Sequence, residues 1–227
     1  MMDSKDGSVE GLMVEIFEQT IKPLRLKPDY HIFPLRRSVV EMQKPRNIEK
    51  FVHLGTALNF KNEISAGVFS DITMITGAFA AYVSPKSSLT KGPSVTVEML
   101  RSYRVAALRG SAVVPILKHS GINPLEVSNI EQLFKVLASN RIDVSLVLDL
   151  SGDFYLKDHP QIKIAKVPSS ITDVPLSFLI AKSHPHYDKI FPMISENLAK
   201  MRLNGDLKKI AERYYGVGQV PNDVLSK

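Results

Sequence analysis

Apolar positions along the chain switch between two periods, and the switches mark the elements. Val14, Ile16, Phe17 and Ile21 predict a first helix that ends before Pro23. "DYHIFPL" (29–35) reads as a strand, and "RRSVVEMQK" (36–44) as a helix stopped by Pro45. "FVHLGT" (51–56) is a second strand, followed by the polar segment "ALNFKNEISAG". "ITMITGAFAAYV" (72–83) is apolar and rich in β-branched residues, the pattern of a buried strand. An exposed loop, "SPKSSLTKGPS", comes next.

The following unit is sharper. A strand over 103–109 breaks at Gly110-Ser111 and leads into a helix ending near Ser120-Gly121. In "SNIEQLFKVLASNR", Ser128 and Glu131 stand at capping-box spacing, and Ile130, Leu133, Phe134 and Leu137 form one helical face. "IDVSLVLD", "QIKIAKV" and "LSFLIAK" read as strands. Two helices close the chain. One carries Ile190, Ile194, Leu198 and Met201 and breaks at Asn204-Gly205; the other runs from Asp206 through Leu207, Ile210, Ala211 and Tyr214 to Gly216. There are no internal repeats. Strand and helix alternate, which predicts an α/β fold built on a parallel sheet.

With 227 residues the chain is long enough for one large domain or two lobes. The net charge of +6 is concentrated locally: Lys22, Arg25, Lys27, Arg36, Arg37, Lys44, Arg46 and Lys50 face only Asp29, Glu41 and Glu49. Without interleaved aromatic stacking positions or a nucleic-acid motif, this stretch reads as a solvated surface and not as a nucleic-acid site. Cysteine is absent, which excludes disulfides, thiolate metal sites and a cysteine nucleophile. No apolar run approaches the ~20 residues of a membrane span, so the chain is not membrane-inserted. Acidic residues interrupt "MMDSKDGSVEGLMVEIFEQ" where a signal peptide would be apolar, so the sequence as it stands carries no export signal.

Candidate chemistry is sparse. Ser111 can cap its helix, or donate to an anion beside the Ala112 and Val113 amides. Asp149 ends a buried strand, where ligands of open α/β sheets bind; it can equally cap a loop. Asp143 reads as a structural cap or pair. Arg36 and Arg37 oppose the dipole at a helix start, so they are either cleft cations or a surface pair. His184 and His186 form the one close histidine pair, and Pro185 between them accounts for the stretch without a metal. No nucleophile elbow or Gly-rich phosphate loop is present.

The order of elements from Val95 to Gly216 resembles the family 3 extracytoplasmic solute-binding proteins, the receptors of ABC-type amino-acid importers. "VTVEMLRSYRVAALRGSAV" is similar to the family's stretch before and after "vGvqrGs", and "NIEQLFKVLASNRIDVSLVLD" to its "n.eeal.aL.aGrvDavv.d". "LSFLIAKSHPHYDKIFPMISENLAKMRLNGDLKKIAERYYG" matches its closing pattern, the most specific signal in the chain. "VEGLMVEIFEQTIKPLRLKPDYHIFP", "FPLRRSVVEMQ" and "HLGTALNFK" resemble the front of the family more loosely, so the likeness spans roughly 10–216.

The resemblance implies a two-lobed fold of the periplasmic-binding-protein type II, with two crossing hinge strands near 72–83 and 175–182. The outer lobe is expected at 1–76 and 183–227, the hinge and connecting loop at 77–102 and 172–182, and the inner lobe at 103–171. It implies solute binding in an interlobe cleft by hinge closure, without catalysis or cofactor. The site residues are Arg37, Thr56, Asn59, Ser111, Ala112 and Asp149: Arg37 and Ser111 for an anion, with Ala112 beside them, Thr56 and Asn59 for polar groups, and Asp149 for a cation or hydroxyl. The implied ligand is a small polar, anionic, amino-acid-like molecule. The partner is an ABC permease or a membrane sensor, the chain a monomer, and the location periplasmic. A dehydratase-like enzyme is the catalytic alternative on the same fold.

Three departures bear on that reading. The family's carboxylate-clamping arginine falls on Asn59, or on Glu63 in a shifted alignment, and a neutral amide does not replace a bidentate guanidinium. The family's amine-binding acid falls on Leu148, one residue before Asp149. The family's first strand and export signal have no counterpart before Met1, as in a truncated, mis-started or trimmed chain, or in a cytoplasmic descendant.

Overall fold

Residues 2–3, 9–48, 52–92, 94–216 and 220 are described by the computed structural model. Lys50 of the basic stretch, Phe51 of the second strand, Pro93 of the exposed loop and most of the acidic start lie outside them. The chain divides into two units. Unit 1 comprises Met1–Phe33, Arg37–Thr76 and Pro175–Lys227; unit 2 comprises Pro34–Arg36 and Gly77–Val174.

In unit 1 a short antiparallel pair, β1 (Met2–Asp3) and β2 (Val9–Glu10), precedes α1 (Leu12–Ile21). The apolar stripe of α1, with Val14, Ile16, Phe17 and Ile21 all buried, turns inward as its spacing predicts. It packs on α8 (Tyr187–Leu203) and α9 (Asp206–Tyr215), the two closing helices. Phe17 meets Phe178 with ring centroids 5.3 Å apart, and each such buried side chain stabilises the unit by roughly 1.5–3 kcal/mol. Buried Thr20 satisfies its hydroxyl by donating to the Ile16 carbonyl at 2.7 Å. After α1 a 3₁₀ turn with Pro23 ends the helix. The strand expected at 29–35 does not form: no strand among the described residues pairs with it, so it runs without regular structure into α2 (Leu35–Gln43). Pro45 opens a further turn, α3 (Pro45–Ile48), where its missing N–H costs nothing. β3 (Val52–Thr56) follows, then a 3₁₀ turn and α4 (Lys61–Ser65) within the segment read only as polar. Phe60, Phe69, Met42 and Leu179 form a core of this unit.

Two strands run from one unit into the other. β4 (Phe69–Val83) crosses the division at Thr76, and β8 (Ala165–Ala181) crosses it at Pro175. Where the pattern predicts two strands, 161–167 and 176–182, on either side of Pro168 and Pro175, there is one, β8, which starts at Ala165. It is continuous, and its pairing with β3 begins at Leu176, after the second proline, where every N–H is available.

Unit 2 alternates β5 (Val105–Leu108), α5 (Val113–His119), β6 (Leu125–Val127), α6 (Ile130–Ala138), β7 (Val144–Leu148) and α7 (Asp149–Asp158). β5 is parallel to both β6 and β7, whereas β4 pairs antiparallel with β7, so the sheet, ordered β3-β8-β4-β7-β5-β6, is mixed and not parallel throughout. Strand β6 and helix α7 went unread: one is three residues long, the other carries Gly152 mid-helix. Leu133, Phe134, Leu137 and Tyr82 centre the core, with Tyr82 edge-on to Phe134 at 5.3 Å. The cap of α6 sits one residue later than expected. Asn129 Oδ1 accepts from Gln132 N at 2.8 Å, while Gln132 Oε1 accepts from Ser128 N at 3.2 Å. Asn129 and Gln132 have the same spacing as Ser128 and Glu131, and asparagine is the stronger cap. No helix among the described residues is long and apolar enough to cross a membrane.

Candidate functional site

Unit 2 holds Asp149 where β7 becomes α7. The β4–β7 register advances without a bulge from Val83↔Val144 to Phe79↔Leu148, and the helix begins on the next residue. Leu148 therefore belongs to the ladder and Asp149 to a helix N-terminus, which favours a carboxylate. Asp149 Oδ1 accepts from Ala78 N at 3.0 Å and from Leu150 N at 2.7 Å. Its Oδ2 lies 4.0 Å from Lys166 Nζ and accepts no hydrogen bond among the described residues. Burial raises the Asp149 pKa above the usual carboxylate value; the two backbone N–H groups and Lys166 pull it back, and Asp153 adds to the rise.

A network surrounds that carboxyl. Tyr82 Oη donates to Asp153 Oδ1 at 2.7 Å and lies 3.2 Å from the Asp149 carbonyl. Lys166 Nζ donates to Asp153 Oδ2 at 2.6 Å. Gly152 makes room for the tyrosine: a Cβ there would stand 2.4 Å from Tyr82 Oη. Tyr82, Asp153 and Lys166 were missed in the sequence, although Asp149 and Asp153 at i, i+4 on one helix face were a readable signal.

Ser111 and Ala112 are also in unit 2, but they are only 8% and 6% exposed. The helix start expected at Gly110-Ser111 moves to Val113. Ala112 takes the cap position and has no side-chain acceptor, so Ser111 Oγ accepts weakly from Val113 N at 3.5 Å. Gly110 has φ +81°, and a Cβ on it would stand 2.7 Å from Arg36 Cα, so the backbone of Pro34–Arg36 passes directly over this turn. Glycine is required there twice, for the left-handed conformation and for the close approach.

Unit 1 holds the other three. Thr56 caps the 3₁₀ turn Ala57–Phe60, its Oγ1 accepting from Leu58 N at 3.1 Å and keeping its own O–H to donate. Asn59 is half-buried in that turn, and its side chain makes no hydrogen bond among the described residues. Glu63 accepts from Gln43 Nε2 at 2.6 Å, so the shifted alignment meets an engaged side chain. Arg37, 64% exposed along its side chain, lies 3.6 Å from Glu41 Oε1 with its guanidinium 5.0 Å above the Phe33 ring. Asp143 pairs bidentately with Arg104, the structural role expected of it. His184 Nδ1 accepts from His186 N at 3.1 Å, and no cluster of metal-ligating side chains occurs among the described residues.

No protein-family model and no curated relative matches the sequence. Solved structures do match in fold. A histidine kinase sensor domain with similarity to periplasmic binding proteins gives a TM-score of 0.76 at 15% identity, over 95% of this chain and 90% of that one. The substrate-binding protein of an amino-acid ABC transporter gives 0.68 at 15% identity, over 93% and 91%. The L-cystine solute receptor of Neisseria gonorrhoeae, unliganded and open, gives 0.64 at 17% identity, over 99% and 89%. The chain thus has the periplasmic-binding-protein fold, in common with a sensor domain, a binding protein and a receptor.

Proposed function

We propose that this chain binds a small polar, amino-acid-like solute between its two units, closing on it by hinge motion about β4 and β8, without covalent chemistry. The observation that carries the reading is the Asp149 carboxyl. One oxygen is locked by two backbone N–H groups, which fixes its direction, and the other is left for a ligand's ammonium or hydroxyl. The Thr56 hydroxyl and the Asn59 amide supply neutral polar contacts from unit 1. A carboxylate on the solute is received by Arg37 and the Ser111 turn. Pro34–Arg36 must first lift off Gly110, a motion that couples anion binding to the order of this segment.

Delivery to an ABC-type permease, at a periplasmic location, completes the reading. A sensing role is the second reading, favoured by the sensor domain that matches with a TM-score of 0.76. A thermal-shift screen of amino acids, dicarboxylates and oligopeptides tests binding itself. A dose-dependent rise of the midpoint with at least one class is expected, since a ligand that binds only the folded state stabilises it by mass action. No rise at millimolar concentrations of any class contradicts the proposal.

A further inference from the structure

At the other end of unit 2, an open groove of about 400 Å³ is lined by Arg101, Tyr103, Arg104, Asn123 and Arg141. It lies where β5 and β7 begin, whereas Asp149 lies where β7 ends. The six residues from Asp143 to Asp149 separate the two places by roughly 20 Å. The groove is therefore independent of the solute reading above.

Three arginines and no carboxylate line it; of the two acids beside them, Glu98 feels the charge of Arg101 and Asp143 is taken up by Arg104. Asp143 receives Arg104 Nε at 3.1 Å, Arg104 Nη2 at 2.7 Å and the Arg104 backbone N–H at 2.8 Å. Arg104 Nη2 also donates to the Asn140 carbonyl at 2.9 Å, which leaves the Nη1 edge unengaged among the described residues. Arg101 Nε donates to the Ser120 carbonyl at 3.0 Å, so the carbonyl end of α5 is covered by a cation, and neither terminal amino group of Arg101 makes a hydrogen bond among the described residues. The Arg141 guanidinium makes no hydrogen bond or ion pair among the described residues.

Two of the three guanidinium groups are thus held by the protein before any ligand arrives, and ordering them costs the ligand little. Like charges gathered in a concavity repel, and an anion seated among them removes that repulsion. Monovalent anions bring one charge to three cations and gain least.

We propose that this groove is a second binding site, for a small multivalent oxyanion, either a phosphate ester or a polycarboxylate. Calorimetric titration of the full chain with sodium pyrophosphate and with sodium citrate, at constant ionic strength, tests it and separates the two chemistries. One saturable site for at least one probe is expected. Arg101→Gln/Arg141→Gln lowers its affinity tenfold or more, and Arg141→Lys, which keeps the charge but loses the planar fork, lowers it less. Both side chains are surface groups, and an unchanged thermal midpoint confirms folding of the variants. Lys27→Gln, in the basic stretch of unit 1, leaves the affinity within twofold. Absence of saturable binding by both probes overturns the proposal. So does wild-type affinity in the double variant, or an equal loss in Lys27→Gln.

Discussion

In unit 2 the polar groups around Asp149 answer one another. Asp149, Asp153, Tyr82 and Lys166 form one connected set in which only Asp149 Oδ2 lacks a hydrogen bond among the described residues. In unit 1 they form only pairs and local caps: Thr20 and Thr56 bond backbone neighbours, Thr73 Oγ1 lies 3.4 Å from Ser177 Oγ, and buried His53 has Ser38 Oγ at 3.3 Å. A connected network fixes direction, which suits a charged contact with a solute. Isolated caps leave side chains such as Asn59 able to adapt. The two halves of the proposed site therefore differ in kind: unit 2 offers one oriented carboxylate, unit 1 an exposed arginine beside neutral, adjustable side chains.

The largest expected effect lies in unit 1 and is pH-dependent. Burial pushes the His53 imidazole down from 6.5 to about 4. Between those values the unfolded chain binds the extra proton, so stability is full above about pH 6.5 and falls as pH drops toward 4. The full loss is roughly 3 kcal/mol, and His53→Gln flattens that slope in denaturant titrations run across the window. Equal slopes in variant and wild type break the contrast, because unit 1 would then have no isolated buried titrating group.

In unit 2 the corresponding test is steric. Gly152→Ala drives a methyl into Tyr82 and costs about 2 kcal/mol, read as a lower urea midpoint at unchanged m-value. A neutral outcome means that Tyr82 moves freely and the network does not orient Asp149. The smallest effect sharpens the boundary of α6. Asn129→Ala costs about 1 kcal/mol, and Ser128→Ala stays within ~0.5 kcal/mol; the reverse order restores the cap expected from sequence.

Periodicity made most of the fold legible. The apolar stripes of α1, α6, α8 and α9 and the runs of β4 and β7 stand where their spacing puts them. The failures have identifiable causes. A strand is a paired object, so 29–35 could look extended in sequence and still take no partner. Two prolines concealed the continuity of β8, and a glycine concealed α7. The site was legible only as single residues. Asp149 was visible as an acid ending a strand, but its meaning comes from Ala78, Tyr82 and Lys166, which reach it from two other strands. The approach of Arg36 to Gly110, 74 positions apart in the chain, had no local signature.

The central claim is that one solute is held by both units at once. It is tested most directly by calorimetric titration of the best stabilising solute into the wild-type chain, Asn59→Ala and Asp149→Asn. The account predicts at least a tenfold loss of affinity in each variant, with folding intact. Wild-type affinity in either one contradicts it.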